Sequence, residues 1–164
     1  MNARELFGGA LSALVPTSFA DASQFRQVPD TQEVFVDDGP AEESLIFDIL
    51  EKISDADDTA IKTHFGEIVA INGGESRIVH SEQLQGTEFP TWTCLGEQET
   101  KKWGKDSEEL TKVTICVALV RLEKVSTDIV ISYNVLQGER AQQGYERLKE
   151  IAKSFKVNDW NLFG

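Results

Sequence analysis

Carboxylates dominate the reactive side chains of this sequence, and their spacing suits ionic recognition better than catalysis. Between Phe7 and Phe35, Asp21, Arg26, Asp30, Gln32 and Glu33 gather around turn-forming residues, where a scaffold usually displays its binding groups. Asp also caps turns by accepting from the amides that follow it, and composition alone favours that humbler role for Asp21 and Asp30. Asp30 and Glu33 are both expected to be exposed. A second acidic pair, Asp48 and Glu51, stands three residues apart in the following segment.

Catalytic constellations are missing from the sequence. The two histidines, His64 and His80, lie far apart and fall in an expected helix and strand, which favours structural roles for both. No nucleophile elbow, zinc-helix motif, Walker loop or dinucleotide fingerprint occurs, and Gly73-Gly74 and Gly104-Lys105 read as turns. Nothing singles out a carboxylate pair that would sit in an apolar pocket with shifted proton affinity. Neither a catalytic residue nor a cofactor or metal is expected.

The net charge of −12 is concentrated. From Asp30 to Asp58, eleven acidic residues face the single Lys52, so this stretch alone carries −10. Such a field repels nucleic acid and anionic membranes and attracts a basic protein surface. The early apolar run Leu6 to Val15 is too short to span a bilayer and follows Glu5, not a basic cluster. Cys94 and Cys116 are too few and too far apart for a disulfide framework, so a soluble, reduced, intracellular monomer is expected.

The elements that must position these groups follow from periodicity. With no repeat or linker, residues 1–164 read as one domain. Gly8-Gly9 bends the segment Glu5 to Val15 into a hairpin or kinked strand, and Gln32 to Val36 reads as a short strand. Helices are expected from near Pro40, burying Leu45, Ile46, Ile49, Leu50 and Ile53; from Asp58 to Val69; and from Glu139 to Phe155. On the first of these, Asp48 and Glu51 would project together.

Arg77 to Leu84 and Glu88 to Leu95 are weaker strands, the second interrupted by Pro90 and so irregular or at an edge. Lys112 to Leu122 and Thr127 to Val135 form an antiparallel pair, and Lys112 to Leu122 is apolar on both faces. The class is α+β: a largely antiparallel curved sheet of about six strands with helices on both faces.

Phe7-Gly8-Gly9-Ala10, Pro16, Asp21, Arg26 and Val28-Pro29-Asp30-Thr31-Gln32-Glu33-Val34 resemble the signature of the Mog family of Ran guanine nucleotide release factors. Ser44-Leu45-Ile46, Asp48-Ile49-Leu50-Glu51, Ala118-Leu119-Val120-Arg121-Leu122 with Thr127-Asp128, and the closing Asp159-Trp160-Asn161-Leu162-Phe163 extend the likeness over nearly the whole chain. The resemblance implies an α/β/α sandwich like that of the PsbP proteins. It further implies binding to the GTPase Ran, with or without a second Ran-binding protein, release of Ran's nucleotide in nuclear import, and a predominantly nuclear location.

In that family the early acidic residues carry Ran binding, and they match Asp21, Asp30 and Glu33, with Gln32 and Arg26 in the same motif. Asp48 and Glu51 match a further acidic pair. Some relatives carry a longer acidic insert where this chain has only Asp37 to Glu43. An adaptor that binds Ran without speeding release is the alternative reading.

Overall fold

The computed structural model describes residues 1–101 and 110–164. Among these residues the chain forms ten strands in two antiparallel sheets and two α-helices. The strands are β1 (Asn2–Leu6), β2 (Leu11–Val15), β3 (Phe19–Asp21), β4 (Gln32–Asp37), β5 (Ser44–Glu51), β6 (Ser76–Gln83), β7 (Thr91–Lys101), β8 (Leu110–Leu122), β9 (Thr127–Val135) and β10 (Lys156–Val157). Helix α1 spans Asp57–Asn72 and α2 spans Ala141–Ser154. Seven strands make the main sheet in the order β3-β4-β5-β9-β8-β7-β6, and β1-β2-β10 make a small one.

The expectation of an antiparallel sheet with helices on both faces holds, with more strands than the six anticipated. Strand β8 explains the layering. Ile115, Val117 and Leu119 point to the side covered by α1, where they pack with Ala60, Ile61 and Phe65. Cys116, Ala118, Val120 and Leu122 point to the side covered by α2 and the small sheet, where they meet Tyr145, Leu148 and Ile151. A strand apolar on both faces has to lie between two layers, and burying each such side chain is worth about 1.5–3 kcal/mol. Close packing depends on Gly96 of β7: a Cβ there would fall 2.2 Å from the Phe65 ring of α1.

Residues 44–51 correct the sequence reading: the helix expected near Pro40 is strand β5. Positions four apart share a face in a helix and in a strand alike, so Leu45/Ile49 and Ile46/Leu50 cannot separate the two. Phe47 decides the matter, because it joins Leu45 and Ile49 on the α2 side while Ile46, Asp48 and Leu50 face the α1 side. The near-continuous apolar run is that of a strand covered twice.

The other expected helices correspond to α1 and α2. The expected edge also moves. Pro90 lies just before β7 begins at Thr91, where its missing N–H removes no ladder bond and its carbonyl accepts from the Arg121 amide, and the strand beyond β7 at that edge of the sheet is β6.

Candidate partner-binding site

Three turns meet at one end of β4. The first joins β1 to β2 through Phe7–Gly9, where Phe7, Gly8 and Gly9 all take positive φ (52°, 69° and 93°). Glycine adopts such angles freely and phenylalanine does not, so Phe7 must be held there. Glu33 at the head of β4 supplies the hold: its Oε1 accepts from the Phe7 N–H at 2.9 Å.

The second is the 3-10 turn Ala22–Gln24, capped by Asp21, whose Oδ1 accepts from both the backbone N–H and the hydroxyl of Ser23 at 2.9 and 2.8 Å. The third is the Pro29–Gln32 turn, closed by the Gln32 N–H donating to the Pro29 carbonyl at 3.0 Å, with Asp30 exposed at its tip.

Together these turns enclose a shallow groove of about 270 Å³, lined by Asp21, Asp30, Gln32 and Glu33 with Phe7, Val28 and Pro29 as its apolar part. The structure therefore gathers four of the sequence-selected residues into one surface. Arg26 is exposed on the loop between the second and third turns. Asp21 performs the capping role that composition favoured, while Asp30 does not cap. Glu33 is half-buried, not exposed as expected, because it clamps the hairpin turn.

Asp48 and Glu51 do not form a pair. On a strand, residues three apart point to opposite faces. Asp48 faces α1, half-buried, where burial raises its carboxyl above the ordinary value against a hydrogen bond from Gln32 (Nε2 to Oδ2, 3.3 Å) and the nearby His64. Glu51 is exposed at the C-terminal end of β5, which runs past Gln32, and it is not among the residues that line the groove.

Two buried ionic clusters escaped the sequence reading. Arg121, 1% exposed, donates from Nε to Asp128 at 3.0 Å, from Nη1 to Asp57 and the Asp55 carbonyl at 2.9 and 2.6 Å, and from Nη2 to the Ile53 carbonyl at 2.7 Å. His64 Nε2 bonds Asp128 from α1 at 2.9 Å. Burial would raise the Asp128 carboxyl, but the hydrogen bonds from His64, Arg121 and the Ile53 amide outweigh it and hold it below the ordinary value.

Glu43 is likewise buried, receiving the Tyr133 hydroxyl and Arg140, both at 2.5 Å, and these partners outweigh burial to lower its carboxyl. Arg121 was legible in principle. A charge in a strand apolar on both faces needs a partner, and Asp128 sits opposite it in the β8/β9 register. Glu43 left no such signal.

Cys94 and Cys116 are buried free thiols on opposite sides of the main sheet, and burial pushes Cys94 up to about 12. Among the described residues no trio of His, Cys, Asp or Glu is disposed to hold a metal ion, and no helix is long and apolar enough to cross a membrane.

A three-layered α+β scaffold that fixes exposed and half-buried carboxylates around a shallow groove suits a protein-binding module. The chain belongs to the Ran-interacting Mog1 protein family, whose pattern matches residues 4–136. It is 39% identical to the nuclear import protein MOG1 of Saccharomyces cerevisiae, over 97% of this chain and 83% of that protein. It is 31% identical to the human Ran guanine nucleotide release factor, over 97% of this chain and 95% of that protein.

The crystal structure of the Saccharomyces cerevisiae Ran-binding protein Mog1p superposes with a TM-score of 0.82 at 34% identity, each chain covered in full. Cyanobacterial PsbP from Synechocystis matches at a TM-score of 0.63 and 15% identity over 95% of this chain and 91% of that one, a likeness of fold alone. The family and fold expected from the early motif are both borne out.

Proposed function

We propose that this protein binds the small GTPase Ran through the Asp21–Glu33 groove and promotes release of its bound guanine nucleotide, in support of nuclear protein import. The observation that carries the assignment of the site is the convergence of Asp30 and Glu33 on one groove, in a chain whose family is defined by interaction with Ran.

The mechanism is one of binding, without bond chemistry of its own. A release factor speeds nucleotide loss only if it binds the emptied GTPase more tightly than the loaded one, and nucleotide weakens its binding by the same factor. Each tenfold of coupling needs about 1.4 kcal/mol of differential interaction. The Asp30 carboxylate, unclaimed by the fold, and the Glu33 carboxylate beside it offer charge-assisted hydrogen bonds to basic groups that otherwise hold phosphate. Asp21 holds the turn that presents them. Asp48 and Glu51 are outside this contact. The protein acts as a monomer and is predominantly nuclear in this reading.

Single-turnover dissociation of a fluorescent guanine nucleotide from Ran is the test. Wild-type protein accelerates it, and the Asp30→Lys/Glu33→Lys variant, checked for fold by circular dichroism, neither binds nor accelerates. A folded double variant that releases nucleotide at the wild-type rate refutes the site. Tight wild-type binding with release at the basal rate would instead define a Ran-binding adaptor.

A further inference from the structure

Among the described residues, the large apolar side chains left in solvent are Met1, Phe25, Ile71, Val79, Leu136 and Leu162, and Phe25 is the aromatic one, 62% exposed. Single exposed apolar residues are ordinary, so exposure by itself assigns nothing. The position of Phe25 is what distinguishes it. Ser23 before it and Val28 and Pro29 after it all line the carboxylate groove, so Phe25 sits on the loop that borders the groove.

Its backbone is also fixed. The Phe25 and Arg26 amides both donate to the Ala22 carbonyl, at 3.2 and 3.0 Å, in continuation of the turn that Asp21 caps. At the other end of the loop the Thr31 carbonyl accepts from the Ile49 amide of β5 at 2.9 Å. A loop tied at both ends that borders a carboxylate groove and exposes an aromatic residue has the anatomy of an interface anchor. Aromatic residues bring large contact area with few rotatable bonds, and charged groups around them set register and encounter rate.

We infer that Phe25 is the apolar anchor of the Ran contact, entering a shallow apolar pocket on Ran that is bordered by the basic side chains met by Asp30 and Glu33. The inference rests on the reading of the groove as the Ran site and adds what that reading lacks. Carboxylates exposed to water gain little from pairing at a surface, whereas a desolvated ring beside them supplies affinity and excludes the water that screens them.

The two contributions separate kinetically, because rim charges act mainly on association and its salt dependence, and a buried anchor acts on dissociation.

Binding of the full chain to purified Ran, measured by surface plasmon resonance across a salt series, tests this. Phe25→Ala is expected to raise Kd about ten- to thirtyfold through the dissociation rate, as anchor truncations do, with the salt slope unchanged. Phe25→Trp is expected to stay within about threefold of wild type, since it keeps an aromatic ring there. Ile71→Ala removes a still more exposed apolar side chain (86%) from α1 and is the control, expected to bind as wild type.

Phe25→Ala binding within twofold of wild type overturns the inference, as does an equal loss in Ile71→Ala. Loss of binding in Asp30→Lys/Glu33→Lys with none in Phe25→Ala sinks the anchor and leaves the groove standing. Absence of wild-type binding sinks both.

Discussion

Glu33 serves the fold and the groove at once, so its variants should fail in a different manner from those of Asp30. Its carboxylate accepts the amide of a residue held at φ 52°, in a turn where the Phe7 side chain packs against the main core. Glu33→Lys deletes the acceptor and leaves that amide half-buried. A lost hydrogen bond to a charged group costs about 1.5–3 kcal/mol.

For a chain of 164 residues each kcal/mol moves the melting temperature by about 2–4 °C, so a loss of about 2 kcal/mol lowers it by about 4–8 °C. Glu33→Gln keeps an acceptor oxygen and gives up only the charge assistance, for a fall of about 1–3 °C. Asp30→Lys touches no bond of the fold and stays within about 0.5 kcal/mol of wild type.

Thermal unfolding by calorimetry, paired with hydrogen exchange at the Phe7 amide, reads the difference: exchange quickens in Glu33→Lys and is unchanged in Asp30→Lys. A Glu33→Lys protein that melts within 1 °C of wild type with normal Phe7 protection would refute the clamp, and the double variant would then report on binding alone.

Arg121→Leu leaves the buried Asp128 with only His64 and the Ile53 amide and strips donors from the Ile53 and Asp55 carbonyls, and it should cost about 3–5 kcal/mol in urea unfolding. Arg121→Leu/Asp128→Leu should recover part of that loss, and failure to recover any would show that the cost lies in the carbonyls. Acid should destabilise through Asp128 and Glu43: both carboxyls are held below their ordinary values of 3.8 and 4.5, so their contribution is full above those values and is lost as pH falls through the lower folded ones.

Asp48, raised by burial, acts with the opposite sign, since its charged form burdens the fold as pH rises through its folded value. Denaturant midpoints from pH 6 to pH 2 should flatten in Asp128→Asn, and an unchanged profile would dismiss the cluster as the acid-sensitive element.

Much of this architecture was written in local patterns. The two-faced apolarity of β8, the short link to β9 and the 3.6-residue stripe of α2 each fix an element without help from the rest of the chain. The turns that carry Asp21 and Asp30 were legible too, because turn-forming residues crowd around them, but the groove they enclose was not. What escaped notice depends on pairing across long sequence separations. Two-residue β10 exists because Lys156 and Val157 meet Ser12 and Leu11.

Glu43 is buried because Tyr133 and Arg140 come to it from 90 and 97 residues away. Glu33 looked like a surface carboxylate because nothing near it in sequence announces Phe7 as its partner. Residues 44–50 were misread since a strand covered on both sides has no polar alternation to betray it.

The acidity of the chain divides accordingly into two populations, and the division bears on how Ran is met. Of the eleven carboxylates between Asp30 and Asp58, Glu43 is paired with Arg140, Asp57 shares Arg121 with Asp128, and Asp48 is half-buried behind Gln32, outside the groove's lining. Asp37, Asp38 and Glu42 lie around the β4–β5 connection, at the opposite end of β4 from Asp30. Six strand residues span about 20 Å, at roughly 3.3 Å each. Exposed charges that far apart are largely screened, since the Debye length is about 8 Å at physiological ionic strength.

A charge of −10 read from the sequence therefore does not act on the groove as −10. Long-range steering is weaker than composition suggests, and in the proposed contact recognition comes from what touches the partner: Asp30 and Glu33, with Phe25 on the loop that borders their groove. Contacts of that range would distinguish an emptied nucleotide site from an occupied one if, as proposed, they compete with phosphate for the same basic groups, and a diffuse field would not.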